Sequence, residues 1–362
     1  MISLSSTGER QTKTRSALLA LFWFWGSFFV LTGCTDEPAV NSSVLKATRI
    51  SGATMGTRYN ITLVASPNRV IDVAAMKQRI DALLVSVNQS MSTYIPDSEL
   101  MRLNAEPAGQ WTVLSAPLFE VMAMSRQVSE LSSGAFDVTV GPLVDLWGFG
   151  SGSNAEDGVP SDAELERVRE QFGQHLIDYD AVQQRIRRTL PLSINLSAIA
   201  KGYGVDQVSQ LLHKRGFANH LVEIGGELRL SGVSQRGTPW RIAVESPLAG
   251  LSQRAQRALT LSGLGMATSG DYRNYFEIDG VRYSHTIDPR TLRPITHNLA
   301  SVTVLSPSAA RADALATAFN VLGAEEALKL ANQEAIAALF LVKTEQGFDE
   351  VASNAFKPYL DQ

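Results

Sequence analysis

A single cysteine, Cys34, is all the thiol chemistry that this 362-residue chain has. A disulfide framework within the chain is therefore excluded, and so is a tetrahedral zinc site built from several Cys and His ligands. Charge of one sign is lacking as well. The 32 Lys and Arg against 36 Asp and Glu leave a formal net charge of −4 with the signs mixed. No basic stripe or DNA- or RNA-binding motif suggests a nucleic-acid partner. No GxGxxG follows a predicted strand and no GxxxxGKS/T occurs, so a Rossmann or P-loop site is not expected, and any nucleotide must be held in another way. Short-period repeats and low-complexity tracts are absent. Apolar residues nonetheless make up 44% of the chain, which is enough for a full core.

The longest apolar run, from Ala17 to Leu31, follows Arg10, Lys13 and Arg15. It is short of the roughly 20 residues that a membrane-spanning helix needs and reads as the core of a secretory signal. It ends at Leu31-Thr32-Gly33-Cys34, which resembles a bacterial lipobox: small residues open the backbone to a peptidase, and the Cys34 thiol accepts lipid. An uncleaved anchor helix followed by a chance cysteine gives the same pattern. Either way, the remainder is expected outside the cytoplasm and close to a membrane. Thr35 to Lys46 is polar and reads as a flexible tether. The expected organisation is a signal over 1–33, the lipidated cysteine and tether over 34–47, one large domain over 48–345 and a tail over 346–362.

Within that domain, Thr48–Val64 reads as a strand or hairpin, with Gly52 and Gly56 marking a bulge or a close ligand approach. Helices are predicted over Ile71–Val87, from the Ser115 cap to just before Gly134, after the capping box Ser161-Asp162-Ala163-Glu164, over Ala198–Lys214 and over Ala309–Leu322 with Gly323 as a stop. Strand-like runs are His220–Ile224, Glu227–Leu230, Trp240–Val244, Ala258–Leu261, Tyr283–Ile287, Ser301–Leu305 and Gln333–Val342. Helices and strands mix without a clean βαβ alternation, so the fold class expected is α+β.

Four constellations carry polar chemistry. Asp313 and Thr317 stand four apart on one helix face, a carboxylate and a hydroxyl that suit a hard cation such as magnesium. An exposed aspartate and a threonine bonded to its own helix would leave the same trace. Asn195 through Gly204 crowds polar side chains and Lys201 at a helix start, where free N–H groups suit phosphate; an ordinary capped helix with a surface lysine is the plainer alternative. Ser132–Leu143 with Leu146–Gly150 sets aromatics beside glycines, either a cradle for a planar ring or a buried turn. Thr268–Arg273 and Tyr283–Thr291 gather two aspartates, two arginines and His285, a general base near neutral pH or part of a structural turn in which Arg290 only pairs with an aspartate.

The order of these motifs along the chain is more specific than any one of them. It includes Thr54-Met55-Gly56-Thr57, Met91-Ser92-Thr93-Tyr94, Gly134-Ala135-Phe136-Asp137, Ala200-Lys201-Gly202-Tyr203, Gly225-Gly226-Glu227, Thr268-Ser269-Gly270-Asp271-Tyr272, His285-Thr286-Ile287-Asp288-Pro289 and the Ala312–Thr317 run. Together they resemble the ApbE family, the FAD:protein FMN transferases, from about Gly52 to about Gly323. The resemblance implies a periplasmic enzyme, lipid-anchored to the inner membrane, that uses Mg2+ to move FMN from FAD onto a threonine of an acceptor protein. By the family's habit that acceptor is a subunit of a sodium-pumping or related electron-transport complex. The resemblance further implies that magnesium is held by Asp313, Thr317 and a main-chain carbonyl at Ser197-Ala198, and that FAD contacts Met55, Tyr94, Ala135, Phe136, Asp137, Asn195, Lys201 and Ile287. His285 is then the group that activates the acceptor hydroxyl, and Lys201 assists.

Three departures stand out. Asn195 replaces the family's usual Asp, keeping an acceptor but losing the charge. Leu292 ends an Asp-Pro-x-Thr turn that usually ends in Gly, so the turn is expected to differ, since leucine tolerates positive φ poorly. Ser284 stands where many members have a second histidine. Competing readings are a magnesium-dependent FAD pyrophosphatase with water as acceptor, a lipoprotein that carries FAD without chemistry, and a purely structural envelope lipoprotein.

Overall fold

The computed structural model describes residues 45–149, 159–245, 255–270, 275–278 and 281–360. The signal segment, Cys34, Gly150 and Asp271-Tyr272-Arg273 lie outside the described residues. The first elements are strands β1 (Lys46–Thr54) and β2 (Thr57–Ala65), paired in unbroken register from Lys46↔Ala65 to Thr54↔Thr57. Met55 and Gly56 make the whole turn at φ 49° and 70°, the left-handed pair that a two-residue hairpin requires. The irregularity expected at Gly52 is not a bulge. A Cβ there would meet the Tyr59 ring at 2.5 Å, so Gly52 gives up a side chain to let its cross-strand partner lie over the strand.

Helix α1 (Val73–Met91) is capped by Asp72, which accepts from the Ala75 N–H, and it buries Met76, Ile80, Leu84 and Val87 at helical spacing. Ser98 caps α2 (Glu99–Ala105), which leads through β3 (Trp111–Val113) to α3 (Ala116–Leu131). There Ser115 caps and Pro117 sits in the first turn, as expected. Helix α4 (Gly141–Leu146) precedes α5 (Asp162–Arg169), at whose start the Glu164 carboxylate accepts from the Ser161 N–H and hydroxyl. Strands β4 (Ile177–Asp180) and β5 (Arg185–Arg188) join β3 in a small sheet of order β3-β5-β4.

Helix α6 (Ala200–Lys214) starts two residues later than expected, because 197–199 form a turn. It is followed by β6 (Asn219–Ile224), β7 (Glu227–Ser231), β8 (Trp240–Glu245), β9 (Ala255–Leu261) and β10 (Gly265–Gly270). Next come β11 (Tyr275–Ile278), β12 (Val281–Ser284), β13 (Ile287–Asp288), β14 (Arg293–Pro294) and β15 (Leu299–Ser306). The strand expected over Tyr283–Ile287 is thus split, with His285-Thr286 linking two short strands. The chain closes with α7 (Ala309–Gln333), β16 (Ala337–Thr344) and β17 (Gly347–Ala352). Gly323 does break the helix, at φ 76° and ψ 169°, but helix resumes beyond the kink and reaches Gln333. The last strand accordingly begins at Ala337 rather than Gln333. Residues after 346, expected as a tail, add β17 to the edge of the main sheet.

That sheet is antiparallel throughout, in the order β1-β2-β6-β7-β10-β15-β16-β17, and the class is α+β as expected. One face carries α1, α6 and α7, whose apolar stripes merge with those of α3 and β15. The other face is covered by the β8–β9 hairpin and Phe356, over Leu230, Met266 and Leu339. The layered core leaves the start of α6, the face of α7 and the β6–β7 turn meeting at one place.

Candidate active site

Helix α7 is buried along most of its length by alanines, which let it lie close to the sheet and to α6. Its polar face carries Asp313 and Thr317 into a cavity of about 600 Å3. Asp313 is only 5% exposed, and its Oδ2 accepts from the Gly202 N–H at 3.0 Å. Burial pushes the Asp313 carboxyl above its ordinary pKa, against the opposing pull of Lys201 and the Gly202 N–H. The alternative of an exposed aspartate is excluded by this burial.

Lys201, in the first turn of α6, reaches the same wall. Its Nζ stands 3.0 Å from Glu227 Oε1 and 3.8 Å from Asp313 Oδ2. Burial alone would lower the lysine pKa, but the Asp313 and Glu227 carboxylates outweigh it and the ammonium is held firmly charged. Burial, joined by the Asp313 charge, also pushes Glu227 upward, while the Lys201 ammonium opposes the shift. Just before α6, Asn195 Oδ1 accepts from the Ser197 N–H at 2.9 Å and from the Ser197 hydroxyl at 2.6 Å. This local turn needs a side-chain oxygen acceptor and no charge, so asparagine serves where the family usually has aspartate. Ala198 lines the cavity beside it.

The opposite wall comes from the end of α3. Ala135, Phe136 and Asp137 line the cavity, with the Phe136 N–H anchored on Ser132 Oγ. Asp137 is largely committed to structure: its oxygens accept from the Thr139 N–H, the Thr139 hydroxyl and the Gln174 N–H. Burial still pushes its pKa up. Trp147 is core rather than cradle, with its indole N–H donated to the Leu292 carbonyl at 2.9 Å and its ring tilted 5.8 Å from Tyr283. The accessible flat ring is Tyr94, 82% exposed at the rim. Tyr94, Thr93, Ser197 and Lys201 also line an adjoining groove, and Met55 lies in that groove rather than in the main cavity.

The third wall is the β12–β13 link. His285 and Ile287 line the cavity, and the Phe149 ring lies edge-on to His285 at 6.4 Å. Thr286, between them, is tied to α7 by Asn320 Nδ2, which donates to its Oγ1 at 3.2 Å. Arg290 is structural, gripping Asp288 and Glu326 at 2.9 Å each. Leu292 does adopt positive φ, at 63°, contrary to the expectation that the turn would differ. Its side chain is 1% exposed in a cluster with Leu143, Trp147 and Phe172, and that burial offsets the local strain.

Eleven of the residues singled out from the sequence thus share one cavity: Tyr94, Ala135, Phe136, Asp137, Asn195, Ala198, Lys201, His285, Ile287, Asp313 and Thr317. Among the described residues no group of three or more His, Cys, Asp or Glu converges to form a closed metal cage. One carboxylate, one hydroxyl and nearby carbonyls fit magnesium, which keeps open positions for water and phosphate oxygens. The buried Glu227 Oε2 without a partner is the further sign of a site built for a positive or hydrogen-bonding group. Glu227 and Asn320 were not singled out as site residues. Asn320 follows Thr317 by one turn on the same helix face, and that spacing was a usable signal. Glu227 stood in a quoted motif, but only the folded hairpin shows that it meets Lys201.

The ApbE family model matches residues 55–340. The FAD:protein FMN transferase of Vibrio cholerae is 44% identical over 351 residues, covering 96% of this chain and 100% of that protein. The FAD:protein FMN transferase of Escherichia coli is 37% identical over 355 residues, covering 96% and 97%. Among solved structures, the flavin transferase ApbE from Vibrio cholerae superposes with a TM-score of 0.78 at 44% identity, covering 87% of this chain and 100% of that one. The apo flavinyl transferase ApbE of Pseudomonas stutzeri gives 0.79 at 40% identity, covering 88% and 98%. With a family model spanning most of its length and relatives aligned nearly end to end, the chain belongs to the ApbE family.

Proposed function

We propose that this chain is an FAD:protein FMN transferase that joins FMN to a threonine hydroxyl of an acceptor protein and releases AMP, with magnesium as the required cation. The observation that carries the reading is the convergence of Asp313, Thr317 and Lys201 on one wall of a cavity whose other walls hold His285 and the segments 135–137 and 195–198. A magnesium ion held by Asp313, Thr317 and a main-chain carbonyl of Ser197-Ala198 would supply charge neutralisation at the pyrophosphate. Lys201 adds a fixed positive charge beside the same oxygens. The Tyr94 ring and the Met55 groove provide accessible surface for the flat ends of FAD. In this reading His285, which lines the cavity, takes the proton as the acceptor oxygen attacks the FMN phosphorus and the bond to AMP breaks, AMP leaving with the electron pair. Such a transfer relies mainly on position and electrostatics, so few side chains need to act.

The location belongs to the same proposal. Leu31-Thr32-Gly33-Cys34 supports lipidation and a periplasmic position at the inner membrane, beside acceptors of an electron-transport complex. The test mixes the protein with FAD, Mg2+ and an acceptor subunit and follows flavin fluorescence in a denaturing gel. Asp313→Ala is expected to abolish the label. An unchanged label would remove Asp313 from the mechanism, and release of free FMN and AMP without acceptor would favour hydrolysis instead.

A further inference from the structure

The β6–β7 turn delivers a second carboxylate to the cation wall. Gly225 and Gly226 lie at φ 59° and 106°, so the hairpin closes in two residues and β7 opens with Glu227 inside the cavity. A Cβ on Gly225 would stand 2.8 Å from Thr57 Cγ2 and 3.4 Å from Lys201 Cδ. The lysine stem therefore runs tightly past the turn. At its end the ammonium has two carboxylates to choose between, and it sits closer to Glu227, at 3.0 Å, than to Asp313, at 3.8 Å.

An ammonium and a divalent cation compete for the same carboxylate, because each draws on the same negative oxygens. Lys201 is thus an internal rival for whatever Asp313 binds. A lysine hydrogen-bonded to Asp313 would weaken cation binding, and a lysine held beyond hydrogen-bond reach leaves the carboxylate more open. Glu227 is the group that decides between these arrangements. Its Oε1 takes the ammonium, and its Oε2, buried without a hydrogen-bond partner, is not used to build the fold.

We propose that Glu227 is a positioning residue that draws the Lys201 ammonium away from Asp313 and so keeps the aspartate available to a divalent cation. This inference rests on the reading of Asp313 and Thr317 as the cation site. It predicts that the effect of Glu227 on cation affinity passes through Lys201 and disappears when the lysine is neutral.

The test is a double-mutant cycle on Mn2+ affinity in the full-length protein in detergent, at saturating FAD without acceptor. Binding is read from loss of the free Mn2+ paramagnetic resonance signal, with FAD alone subtracted. Glu227→Gln is expected to weaken Mn2+ binding at least about tenfold in the wild-type background and less than about twofold in the Lys201→Met background. An equal factor in both backgrounds, as a direct cation ligand or a plain field effect would give, overturns the proposal, as does no weakening in either. Asp313→Ala is run alongside. If it binds Mn2+ as well as wild type does, the cation site is itself misplaced and the inference falls with it. The double variant removes the ammonium and its Glu227 partner together, leaving Asp313 with the Gly202 N–H, and so reports even where Glu227→Gln alone is poorly folded, through comparison with Lys201→Met.

Discussion

Substituting Gly202 by alanine would test whether the spacing of α6 and α7 sets the active site. Gly202 is helical, so the argument is steric alone. A Cβ there would stand 2.4 Å from the Ala309 carbonyl oxygen and 2.7 Å from both Ala309 C and Ala310 Cα. These are main-chain atoms of the first turn of α7 and have no rotamer by which to retreat. Recovering an ordinary contact requires the two helices to part by about 1 Å. The Gly202 N–H donates to Asp313 Oδ2, and Lys201 is the preceding residue, so the separation is transmitted directly to the cavity wall that carries both. Overpacking costs about 1–3 kcal/mol, and the better helix propensity of alanine returns roughly 1 kcal/mol. The melting temperature should therefore fall only modestly. Turnover should fall much further, on the order of 100-fold, as expected of an ångström-scale misplacement. Gly204→Ala is the internal control, since its Cβ meets the Met55 Cε at 3.0 Å, the free end of a flexible chain. That variant should melt at or above the wild-type temperature and keep most of its activity. Thermal melts and flavin-transfer rates on both variants decide the matter. Wild-type turnover in Gly202→Ala, or greater damage in Gly204→Ala, would refute the reasoning.

Asn320→Leu removes the donor to Thr286 Oγ1 at 3.2 Å; losing a bond of about 1 kcal/mol should cut kcat roughly five- to tenfold while the KM for FAD changes little, as steady-state assays would show. Leu292→Ala keeps the strained φ and should lose about 2–5 kcal/mol in denaturant unfolding. Leu292→Gly should be no worse than alanine, because relief of about 1–2 kcal/mol offsets its smaller side chain. His220 is held below its ordinary pKa by burial, with Nε2 2.7 Å from Ser209 Oγ. The unfolded chain binds that proton first, so stability present above about pH 6.5 should be lost as pH falls through that value, at up to roughly 1.4 kcal/mol per pH unit. His220→Gln should flatten that part of the pH profile of urea midpoints.

The sequence pattern makes the starts of α3 and α5 plain, though not that of α2 behind its Ser98 cap. Ser115 and Ser161 announced α3 and α5 because their chemistry is local. The Asp313 and Thr317 pair was legible for a similar reason, since helix pitch fixes a spacing of four residues. What stayed hidden depends on distant partners. Gly52 read as an interruption because the Tyr59 ring that fills its place arrives only when the hairpin pairs. Leu292 read as incompatible with its turn because the burial that compensates it comes from α4 and α5. The tie from Asn320 to Thr286 crosses 34 residues, so the helix-face spacing that marks Asn320 does not show what it holds.

Asp206 of α6 accepts from the Ser308 hydroxyl and from the N–H groups of Ala309 and Ala310, at 2.7 to 3.0 Å. It is thus the lid on the first turn of α7, one helical turn along from the glycine that lets the two rods touch. Together they rivet the catalytic floor at two points, so sliding of α6 over α7 is an expensive way to admit a dinucleotide. The accessible edge of the cleft is at Tyr94, which is 82% exposed. A change in acceptor preference can be written on that rim without disturbing the floor where α6 meets α7.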